Sequence, residues 1–304
     1  MDGAATKRRG WRLGVNGGRR ILVTGATGRQ GGAVARLLLA RDFAVRVLTR
    51  DPGGAAARAL AGQGAELARG DFDDKPSLAL ALRGVSGVFA MQTPYEAGID
   101  REVAHGVGLA DAARRAGVDQ IVYSSVAAAD LHTGVPHFES KGRIERHIAA
   151  LNFRRATILR PTFFMEMLLA PGNLRALARG RVELGLRPET RIAMIAVDDI
   201  AAMAVAAFEE PERWRGGAVT LAGDEPDLLE VAAAFGAALR RPVQYVQVPY
   251  EAIDPDTRPK AGTQQWLETM GWTLDVPALR ASYPFTAMTI GEWAEENLRK
   301  NVLF

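Results

Sequence analysis

The sequence of 304 residues predicts an α/β fold with a doubly wound parallel sheet and a smaller C-terminal α+β lobe. From residue 20 to about residue 160, buried-strand patterns alternate with helix patterns, which is typical of a parallel sheet covered on both faces. Crossovers in such sheets are right-handed, so the alternation predicts a doubly wound arrangement. A second observation is a cluster of four glycines in TGATGRQGG, residues 24–32, where the first strand meets the first helix.

The first half of the chain supplies five strands and the four helices that connect them. The predicted strands are RRILVTGA, FAVRVLTR, AELARGD, VSGVFAMQTP and VDQIVYSSV. The predicted helices are GGAVARLLLARD, AAARALAGQG, KPSLALALRG and IDREVAHGVGLADAARRAG. Asp73 or Asp74 is expected to cap the third helix, which has Pro76 in its first turn, and Gly117 closes the fourth helix.

The second half continues with a helix at SKGRIERHIAAL and a strand at FRRATILRP, and the alternation breaks at Phe163. After an irregular stretch, AVDDIAAMAVAAFEEP predicts a helix capped by Asp198 or Asp199. Strands are predicted at GGAVTLAGDE and PVQYVQVP, on either side of a helix at DLLEVAAAFGAALRR. The aromatic, helical C-terminus completes the smaller lobe.

Composition excludes several kinds of site. The chain has no cysteine, which rules out disulfides, thiolate nucleophiles and cysteine metal ligands, and which suits a reducing cytoplasm. No apolar run approaches the ~20 residues of a membrane helix, so no membrane partner is expected. The histidines lack metal-ligand spacing, and no metal is expected.

The basic residues are concentrated at the N-terminus. Among the first twenty residues six are basic and one is acidic, whereas the whole chain carries only +3, so the remainder is mildly acidic. We expect residues 1–18 to form a disordered, solvated basic tail. A nucleic-acid arm is the alternative interpretation of this tail, but no nucleic-acid partner is expected.

The glycine cluster is best explained by phosphate binding. A glycine-rich turn between a strand and a helix brings backbone N–H groups and the positive end of the helix dipole against a pyrophosphate. Gly25 is expected to allow the tight turn, Gly28 the approach of the phosphates, and Gly31 close packing of the helix on the strand. The other residues expected to line this site are Thr27, Arg29 and Gln30. The spacing is G-x-x-G-x-x-G, and its place in the first βα unit predicts a Rossmann-type dinucleotide site.

The end of the second strand indicates which dinucleotide binds. NAD-specific sites usually place an acidic residue there for the ribose 2′-hydroxyl, whereas this strand ends in Leu48-Thr49-Arg50. The Arg50 guanidinium suits a 2′-phosphate, so NADP(H) is the preferred cofactor and NAD(H) the alternative; an ordinary exposed arginine is the other interpretation. The expected organisation is an NAD(P)-binding Rossmann domain at 19–162 to which 195–222 return, and a substrate-binding lobe at 163–194 and 223–304.

Taken together, these stretches resemble the NmrA-like branch of the atypical short-chain dehydrogenases/reductases. The resemblance rests on TGATGRQGG, VRVLTR, RGDFDD, VFAMQTP, IVYSSV, HFESKGRIE, ILRPTFFMEM, AVDDIA and GEWAEENL, which span residues 20–300. It implies an NAD(P)-binding domain with a small C-terminal lobe. The chain departs from the family at one point, because members often carry a second basic residue shortly after the Arg50 position, where Gly53 and Gly54 stand here.

The resemblance also implies roles for residues that follow the later strands. The expected contacts are Asp71 and Phe72 for the adenine, Met91, Gln92 and Thr93 for the adenosine, Lys141 for the nicotinamide ribose, and Pro161, Thr162 and Phe163 for the nicotinamide. Ser124 and Ser125 end the fifth strand, where the active-site serine of the family would lie. They either orient a substrate carbonyl or satisfy backbone groups near the cofactor.

Acid catalysis is an open question, because ordinary short-chain reductases use Tyr-x-x-x-Lys on one helix face. This chain keeps Lys141 but has His137 at the tyrosine position. His137 is a candidate proton donor beside the other two catalytic candidates, Ser125 and Lys141, although a nearby ammonium would lower the pKa of the imidazole. The alternative for His137 is a polar residue at the cleft edge with no proton transfer. Tyr123 is expected to belong to the core.

An apolar wall is expected beside the nicotinamide, formed by Phe163, Phe164, Met165 and Met167, with Tyr95 capping the substrate pocket. Plain packing of the lobe is the other interpretation of these side chains. The wall suits a small flat electrophile such as a quinone, enone or imine, and the first hypothesis is an NADPH-dependent reductase. The second is a non-catalytic NADP(H) sensor that acts through a protein partner, and the third is a tailoring enzyme of secondary metabolism. A monomer or a homodimer is compatible with each hypothesis.

Overall fold

The computed structural model describes residues 18–249, 251, 253 and 262–301. The predicted basic tail therefore lies outside the described residues, except for Gly18. The chain divides into two compact units. The first comprises the described residues through His132, His137–Arg160 and Ile200–Thr220, and the second comprises Thr133–Pro136, Pro161–Asp199 and the described residues from Leu221 onward.

One sheet of seven strands dominates the fold. The described strands are β1 (Arg20–Val23), β2 (Ala44–Thr49), β3 (Glu66–Arg69), β4 (Gly87–Ala90), β5 (Gln120–Ser124), β6 (Arg155–Pro161), β7 (Phe163–Phe164), β8 (Arg181–Leu184), β9 (Met194–Ile195), β10 (Gly217–Leu221) and β11 (Gln244–Gln247). The large sheet has the order β10-β6-β5-β4-β1-β2-β3, and the neighbouring pairs from β3 to β6 are parallel. The predicted fold class is confirmed.

The strand order reverses direction between β1 and β4, which are hydrogen-bonded neighbours in the sheet. Ligands of open α/β sheets bind outside the carboxyl ends of the strands at such a reversal. The glycine-rich turn follows β1 directly, and Met91-Gln92-Thr93 follows β4 directly. The topology therefore places two of the predicted site segments at one edge of the sheet.

Helices connect the strands, as the alternation predicts. The described helices are α1 (Arg29–Leu39), α2 (Ala55–Ala61), α3 (Lys75–Ala81), α4 (Pro94–Ala97), α5 (Ile99–Arg115), α6 (Pro136–Ala150), α7 (Pro171–Ala178), α8 (Val197–Glu209), α9 (Pro211–Trp214), α10 (Leu228–Leu239), α11 (Thr263–Thr269), α12 (Val276–Ser282) and α13 (Ile290–Asn301). Two predicted termini are confirmed. Asp74 caps α3 by accepting from the Ser77 N–H at 3.3 Å, and Gly117 adopts φ 74° just beyond α5.

The core of the first unit is built from completely buried aliphatic side chains of the central strands and of the helices that cover them. Leu22, Val88 and Ile121 come from β1, β4 and β5, and Leu109 and Ile144 come from α5 and α6. These residues belong to one contiguous apolar cluster. Burial of both faces explains why the strands read as apolar runs instead of alternating patterns.

Arg19 and Arg20, counted with the basic N-terminus in the sequence, belong to the fold. The Arg19 guanidinium donates to Phe208 O and to Gln120 Oε1, both at 2.6 Å, and Arg20 lies 3.4 Å from the Glu66 carboxylate. Two of the six N-terminal basic residues therefore have structural partners.

The second unit contains two small parallel pairs of strands, β7 with β9 and β8 with β11. Trp293 on α13 is 1% exposed, and its indole N–H donates to Glu166 at 3.0 Å. The expectation that Asp198 or Asp199 precedes and caps a helix is wrong, because both lie in the first turn of α8. The buried Asp199 carboxylate accepts from the Met288 N–H at 2.8 Å instead.

The two units divide the chain somewhat differently from the predicted domains. The returning segment of the first unit is 200–220, whereas 195–222 was expected. Residues 133–136 and 161–162 belong to the second unit. The helix predicted around SKGRIERHIAAL is α6, which begins at Pro136 and includes His137 and Phe138.

The described residues contain neither a candidate membrane span nor a candidate metal-binding cluster. No described helix combines the length and the hydropathy that a membrane span requires. Within the same part of the chain, no group of three or more His, Cys, Asp or Glu residues is placed to hold a metal ion.

Candidate functional site

The glycine-rich turn leaves the start of α1 open to an anion. Gly25 adopts φ +64°, a left-handed conformation that favours glycine, and the Gly28 N–H closes the turn on Gly25 O at 3.0 Å. Gly28 is the N-cap of α1, and no side chain caps this helix. Thr27, Gly28 and Arg29 are exposed. The first turn of α1 therefore offers uncapped backbone N–H groups and the positive end of its dipole.

Close packing explains two of the glycines. A Cβ atom at Gly31 would lie 2.4 Å from Gly25 O and 2.6 Å from Thr24 O, so α1 approaches the end of β1 as only glycine allows. A Cβ atom at Gly25 would lie 2.3 Å from the Met91 Cε atom. The role predicted for Gly31, close packing of helix on strand, is borne out by this geometry.

The end of β2 carries an exposed ion pair. The Arg50 guanidinium donates to the Glu96 carboxylate at 2.8 Å, and the two side chains are 67% and 61% exposed. Sequence reasoning missed Glu96, which lies on the short helix α4. It also missed Arg58 on α2, whose guanidinium donates to Gly53 O at 2.5 Å and brings a second basic group to the segment that follows β2.

Asp71 and Phe72, predicted to lie near the adenine, follow β3. The Asp71 carboxylate accepts from the Asp73 N–H at 2.9 Å, which makes a local turn. The Phe72 ring stacks on the imidazole of His105, with 5.2 Å between the ring centroids. Phe72 is half-buried, so part of the ring stays accessible. Whether this pair meets an adenine stays a prediction.

Gln92, after β4, is a buried amide with unused hydrogen-bonding capacity. The residue is 4% exposed, and neither Oε1 nor Nε2 has a hydrogen-bond partner among the described residues. Its neighbours are engaged: the Met91 N–H donates to Thr24 Oγ1 at 2.8 Å, and Thr93 Oγ1 caps α4 by accepting from the Tyr95 N–H at 3.3 Å. A buried polar group without a partner calls for an explanation, and a bound ligand is one.

Ser124 and Ser125, at the end of β5, differ in their contacts. Ser124 Oγ accepts from Gln30 Nε2 at 2.7 Å, which links β5 to the first turn of α1. Ser125 is 6% exposed, and its Oγ has no hydrogen-bond partner among the described residues. Ser125 therefore has a buried hydroxyl, unpartnered within the described part of the chain, directly after β5, and its role as the active-site serine stays a prediction.

Lys141 lies in a buried polar cluster that sequence reasoning missed. Its ammonium donates to Gln92 O at 2.7 Å and to Ser124 O at 3.4 Å, and lies 3.1 Å from the Glu102 carboxylate. Glu102, in the first turn of α5, is completely buried. Burial lowers the pKa of Lys141, and the Glu102 carboxylate opposes that shift. The only sequence signal for Glu102 was an acidic residue in a helix first turn, which usually indicates capping.

The remaining titratable candidates of the first unit are dispersed. His137 lies in α6 and is half-buried, with its ring 4.7 Å from that of Phe138 in an edge-on arrangement. Tyr95 on α4 is 61% exposed. Tyr123 is completely buried, as expected for a core residue, and burial raises its pKa well above the usual value. The predicted roles of His137 and Tyr95 stay predictions.

Five of the predicted site residues lie in the second unit: Pro161, Thr162, Phe163, Phe164 and Met165. Thr162 Oγ1 donates to Leu221 O at 2.9 Å, and the Phe163 N–H donates to Ala193 O at 3.1 Å. Phe163 and Phe164 form β7 and are half-buried. Met165 has no accessible surface in this structure, and its contact with a substrate stays a prediction.

A cleft of about 940 Å³ lies in the first unit, and none of the predicted site residues lines it. Its lining includes the aliphatic Ile158 of β6 and the guanidinium of Arg160. Arg160 is held by the Glu145 carboxylate, at 3.1 and 2.6 Å, and by Asp130 at 2.6 Å. Both acidic residues of this cleft, Asp130 and Glu145, are thus paired with Arg160.

The doubly wound parallel sheet, with an uncapped, glycine-rich helix start at its topological reversal, defines a Rossmann-type protein. The family model described as the NmrA-like family matches residues 18–272. The chain belongs to the NmrA-like family, as the sequence resemblance implies.

The relatives of this chain include proteins named as reductases and oxidoreductases. The chain is 33% identical to the NAD(P)H azoreductase of Xenophilus azovorans over 76% of this chain and 78% of the relative. It is also 33% identical to an NmrA-like family domain-containing oxidoreductase of Aspergillus hancockii, over 66% of this chain and 67% of the relative.

Solved structures share the fold. The crystal structure of NmrA, a negative transcriptional regulator, in complex with NADP superimposes with a TM-score of 0.77 at 21% identity, over 93% of this chain and 96% of that one. An NADPH-dependent quinone oxidoreductase from Escherichia coli, complexed with NADPH, gives a TM-score of 0.76 at 25% identity, over 91% of this chain and 99% of that one.

Proposed function

We propose that this protein binds NADP(H) at the glycine-rich turn and reduces a small apolar electrophile of the quinone, enone or imine type by hydride transfer. The observation that carries the proposal is the start of α1, where Gly28 forms the N-cap and no side chain satisfies the first-turn N–H groups. A pyrophosphate is the ligand that such a helix start accepts in the first βα unit of a doubly wound sheet.

The residues at the sheet edge fit a dinucleotide. Gln92 provides a buried amide without a protein partner, and Ser125 provides a buried hydroxyl in the same state among the described residues. Hydrogen bonds from a ligand would remove the cost of leaving these groups unpaired. Thr27, Gly28 and Arg29 are exposed beside the turn, so phosphates have access to it.

Arg50 supports NADP(H) over NAD(H). Its guanidinium ends β2, where an acidic residue would favour the 2′-hydroxyl of NAD. The side chain is 67% exposed and so is accessible to a 2′-phosphate, although it first has to leave Glu96. The names of the azoreductase and of the quinone oxidoreductase, which specify NAD(P)H and NADPH, add support from relatives.

Reduced nicotinamide supplies the hydride when the coenzyme is bound. The chain contributes binding and orientation, which reduce the entropic part of the barrier. The candidate groups are Lys141 for the ribose side, Ser125 for a substrate oxygen, and His137 as proton donor. Quinones fit this set best, because their reduced oxygens need little acid assistance and His137 stands where ordinary short-chain reductases have a tyrosine.

A non-catalytic NADP(H) sensor is the second candidate function. The Lys141 ammonium already donates to two backbone carbonyls and is paired with Glu102. Tyr123 is completely buried in the core, so β5 presents no phenol as a proton donor. These observations favour nucleotide binding without proton transfer, which is what a sensor requires.

Nucleotide titration followed by an acceptor panel tests the proposal. Calorimetry with NADPH and NADH is expected to show binding of both and tighter binding of NADPH. Quinone, enone and imine acceptors are then expected to accelerate NADPH oxidation by the purified protein. Binding without turnover of any acceptor would favour the sensor, and the absence of heat with either nucleotide would refute both functions.

A further inference from the structure

Glu102 stands out because it is an acidic side chain with no exposed surface. Burying a carboxylate costs free energy unless charged and hydrogen-bonding partners replace the lost water. The residue lies in the first turn of α5, two positions after Asp100, whose side chain is 98% exposed. The Glu102 and Asp100 carboxylates thus lie in the same helix turn, but Glu102 is buried and Asp100 is exposed to solvent.

The two oxygens of the Glu102 carboxylate are used by adjacent residues of α6. Oε1 lies 3.1 Å from the Lys141 ammonium, and Oε2 accepts a hydrogen bond of 2.5 Å from Ser140 Oγ. The carboxylate is therefore both neutralised and oriented. Helices α5 and α6 are held together here by a charged, directional contact instead of by apolar packing alone.

The Lys141 ammonium connects Glu102 to the carboxyl edge of the sheet. It donates to Gln92 O after β4 and to Ser124 O at the end of β5. Ser124 Oγ in turn accepts from Gln30 Nε2, in the first turn of α1. One continuous set of polar contacts thus runs from Glu102, through Lys141 and Ser124, to the helix that follows the glycine-rich turn.

We propose that Glu102 is a positioning residue, which keeps the Lys141 ammonium charged and fixed beside the nicotinamide half of a bound dinucleotide. The inference rests on the proposed function. The Lys141 ammonium donates to two backbone carbonyls and is paired with the Glu102 carboxylate, so a ligand oxygen would compete with one of these contacts. The contact with Ser124 O is the longest, at 3.4 Å, and is the one that a ribose hydroxyl would take over.

Glu102 is the nearest countercharge of Lys141, but other groups face the ammonium. Glu145, on the same helix, adds a more distant negative charge and is itself bound by Arg160. The Tyr123 ring of β5 lies 5.4 Å from the ammonium. Because Glu145 is already paired, the loss of the Glu102 charge would leave the buried ammonium with little compensation, and the pKa of Lys141 would fall further.

Two variants isolate the charge. Glu102→Gln keeps the shape and removes the charge, and Asp100→Asn is the matched control, because it makes the same kind of change in the same helix turn at an exposed site. The chain has five lysines, Lys7, Lys75, Lys141, Lys260 and Lys300, so carbon-13 lysine labelling gives few side-chain signals. Lys141→Met identifies the signal of Lys141 by its loss.

Nuclear magnetic resonance without nucleotide is the first measurement. In Glu102→Gln, the Lys141 signal is expected to titrate roughly one pH unit or more below its position in the wild type. Asp100→Asn is expected to leave it unmoved. An unchanged Lys141 titration in Glu102→Gln would overturn the proposal, whatever the protein does with NADPH.

NADPH binding between pH 6 and pH 10 is the second measurement. In Glu102→Gln, the Kd is expected to rise with pH across the lowered titration, by up to about tenfold per pH unit, because only the charged lysine binds well. The Asp100→Asn profile should match the wild type. A Glu102→Gln profile that also matches would mean that the pair is merely structural, and would overturn the proposal.

A double variant covers the case in which Glu102→Gln does not fold. Glu102→Gln with Lys141→Met removes both charges, so no unpaired buried charge remains. It is expected to fold, and to bind NADPH at least about tenfold more weakly than the wild type at every pH, since one charge-assisted hydrogen bond is lost. Wild-type affinity in this variant would overturn the inference, whereas a wild type that binds no NADPH would refute the proposed function itself.

Discussion

The guanidinium of Arg50, at the end of β2, donates to the carboxylate of Glu96, on α4, at 2.8 Å. The basic group proposed to recognise a 2′-phosphate is thus already occupied by an acidic residue of the same unit. Both side chains are about two-thirds exposed, at 67% and 61%, so the pair is weak and can open at little cost. Arg50 and Glu96 together set the expected preference between the two coenzymes.

Replacing Arg50 by Ala is expected to weaken NADPH binding by about tenfold and to change NADH binding little. The physical reason is the loss of charge-assisted hydrogen bonds to a group that only NADPH carries. Calorimetric titration with both nucleotides measures the ratio. An equal loss of affinity for NADPH and NADH would show that Arg50 does not contact the 2′-phosphate.

Replacing Glu96 by Gln is expected to tighten NADPH binding by roughly two- to threefold, since the Arg50 guanidinium no longer has to leave a carboxylate. The gain should shrink in high salt, because exposed charges are screened. NADH serves as the internal control, and its Kd should not move. A weaker affinity for NADPH in this variant would contradict competition between Glu96 and the phosphate.

Replacing Gly31 by Ala is expected to destabilise the protein by about 1–3 kcal/mol and to abolish nucleotide binding. The new Cβ would meet Gly25 O at 2.4 Å, so α1 has to move away from the turn. Gly108→Ala in α5 is the matched control, because nothing lies within 4 Å of its Cβ position. That control should gain about 0.5–1 kcal/mol in the free energy of unfolding.

Replacing Gln92 by Leu is expected to raise the free energy of unfolding by about 1 kcal/mol while weakening NADPH binding. The buried amide lacks a partner among the described residues, so the folded protein loses nothing when the amide is removed. Gln120→Leu is the contrasting control, because that amide accepts from Arg19 and donates to Ala207 O, both at 2.6 Å. Thermal unfolding should show a loss for Gln120→Leu, and a similar loss for Gln92→Leu would contradict the assignment of Gln92.

Glu166 predicts a pH-dependent stability of the second unit. Burial raises its pKa to about 6, although its carboxylate accepts from the Val197 N–H and from the Trp293 indole, both at 3.0 Å. Because the folded-state pKa exceeds the unfolded value of 4.5, the contribution is present below pH 4.5 and is lost as the pH rises through 6. The loss should be about 2 kcal/mol.

Urea unfolding of the wild type and of Glu166→Gln between pH 4 and pH 7 measures this contribution. The variant cannot titrate at this position, so the part of the slope due to Glu166 should disappear. The same decline of stability with pH in both proteins would show that other groups are responsible.

The sequence predicted the first unit well where local chemistry decides the outcome. The alternation of strand and helix, the Asp74 cap and the Gly117 terminus depend on residues close together in the chain. The tight turn at Gly25 and the close packing at Gly31 followed from the same local reading. The helix predicted around SKGRIERHIAAL also forms, and Pro136 in its first turn marks the start by local chemistry.

Partners distant in sequence could not be predicted. Glu102 looked like an ordinary acidic residue of a helix first turn, and only the packing of α5 on α6 made it a buried partner of Lys141, 39 positions away. Arg50 and Glu96 are likewise 46 positions apart. Met165 was expected at a substrate wall, and tertiary packing removed all of its accessible surface.

The sequence by itself determined the fold class, the strand-to-helix junction with its glycines, and the family. These features depend on backbone conformation and hydrophobic periodicity, which residues adjacent in the chain decide. The tertiary structure alone decided which charges are buried and which groups compensate them. Burial and countercharge depend on the approach of separate helices and strands, and the spacing of residues along the chain does not report that approach.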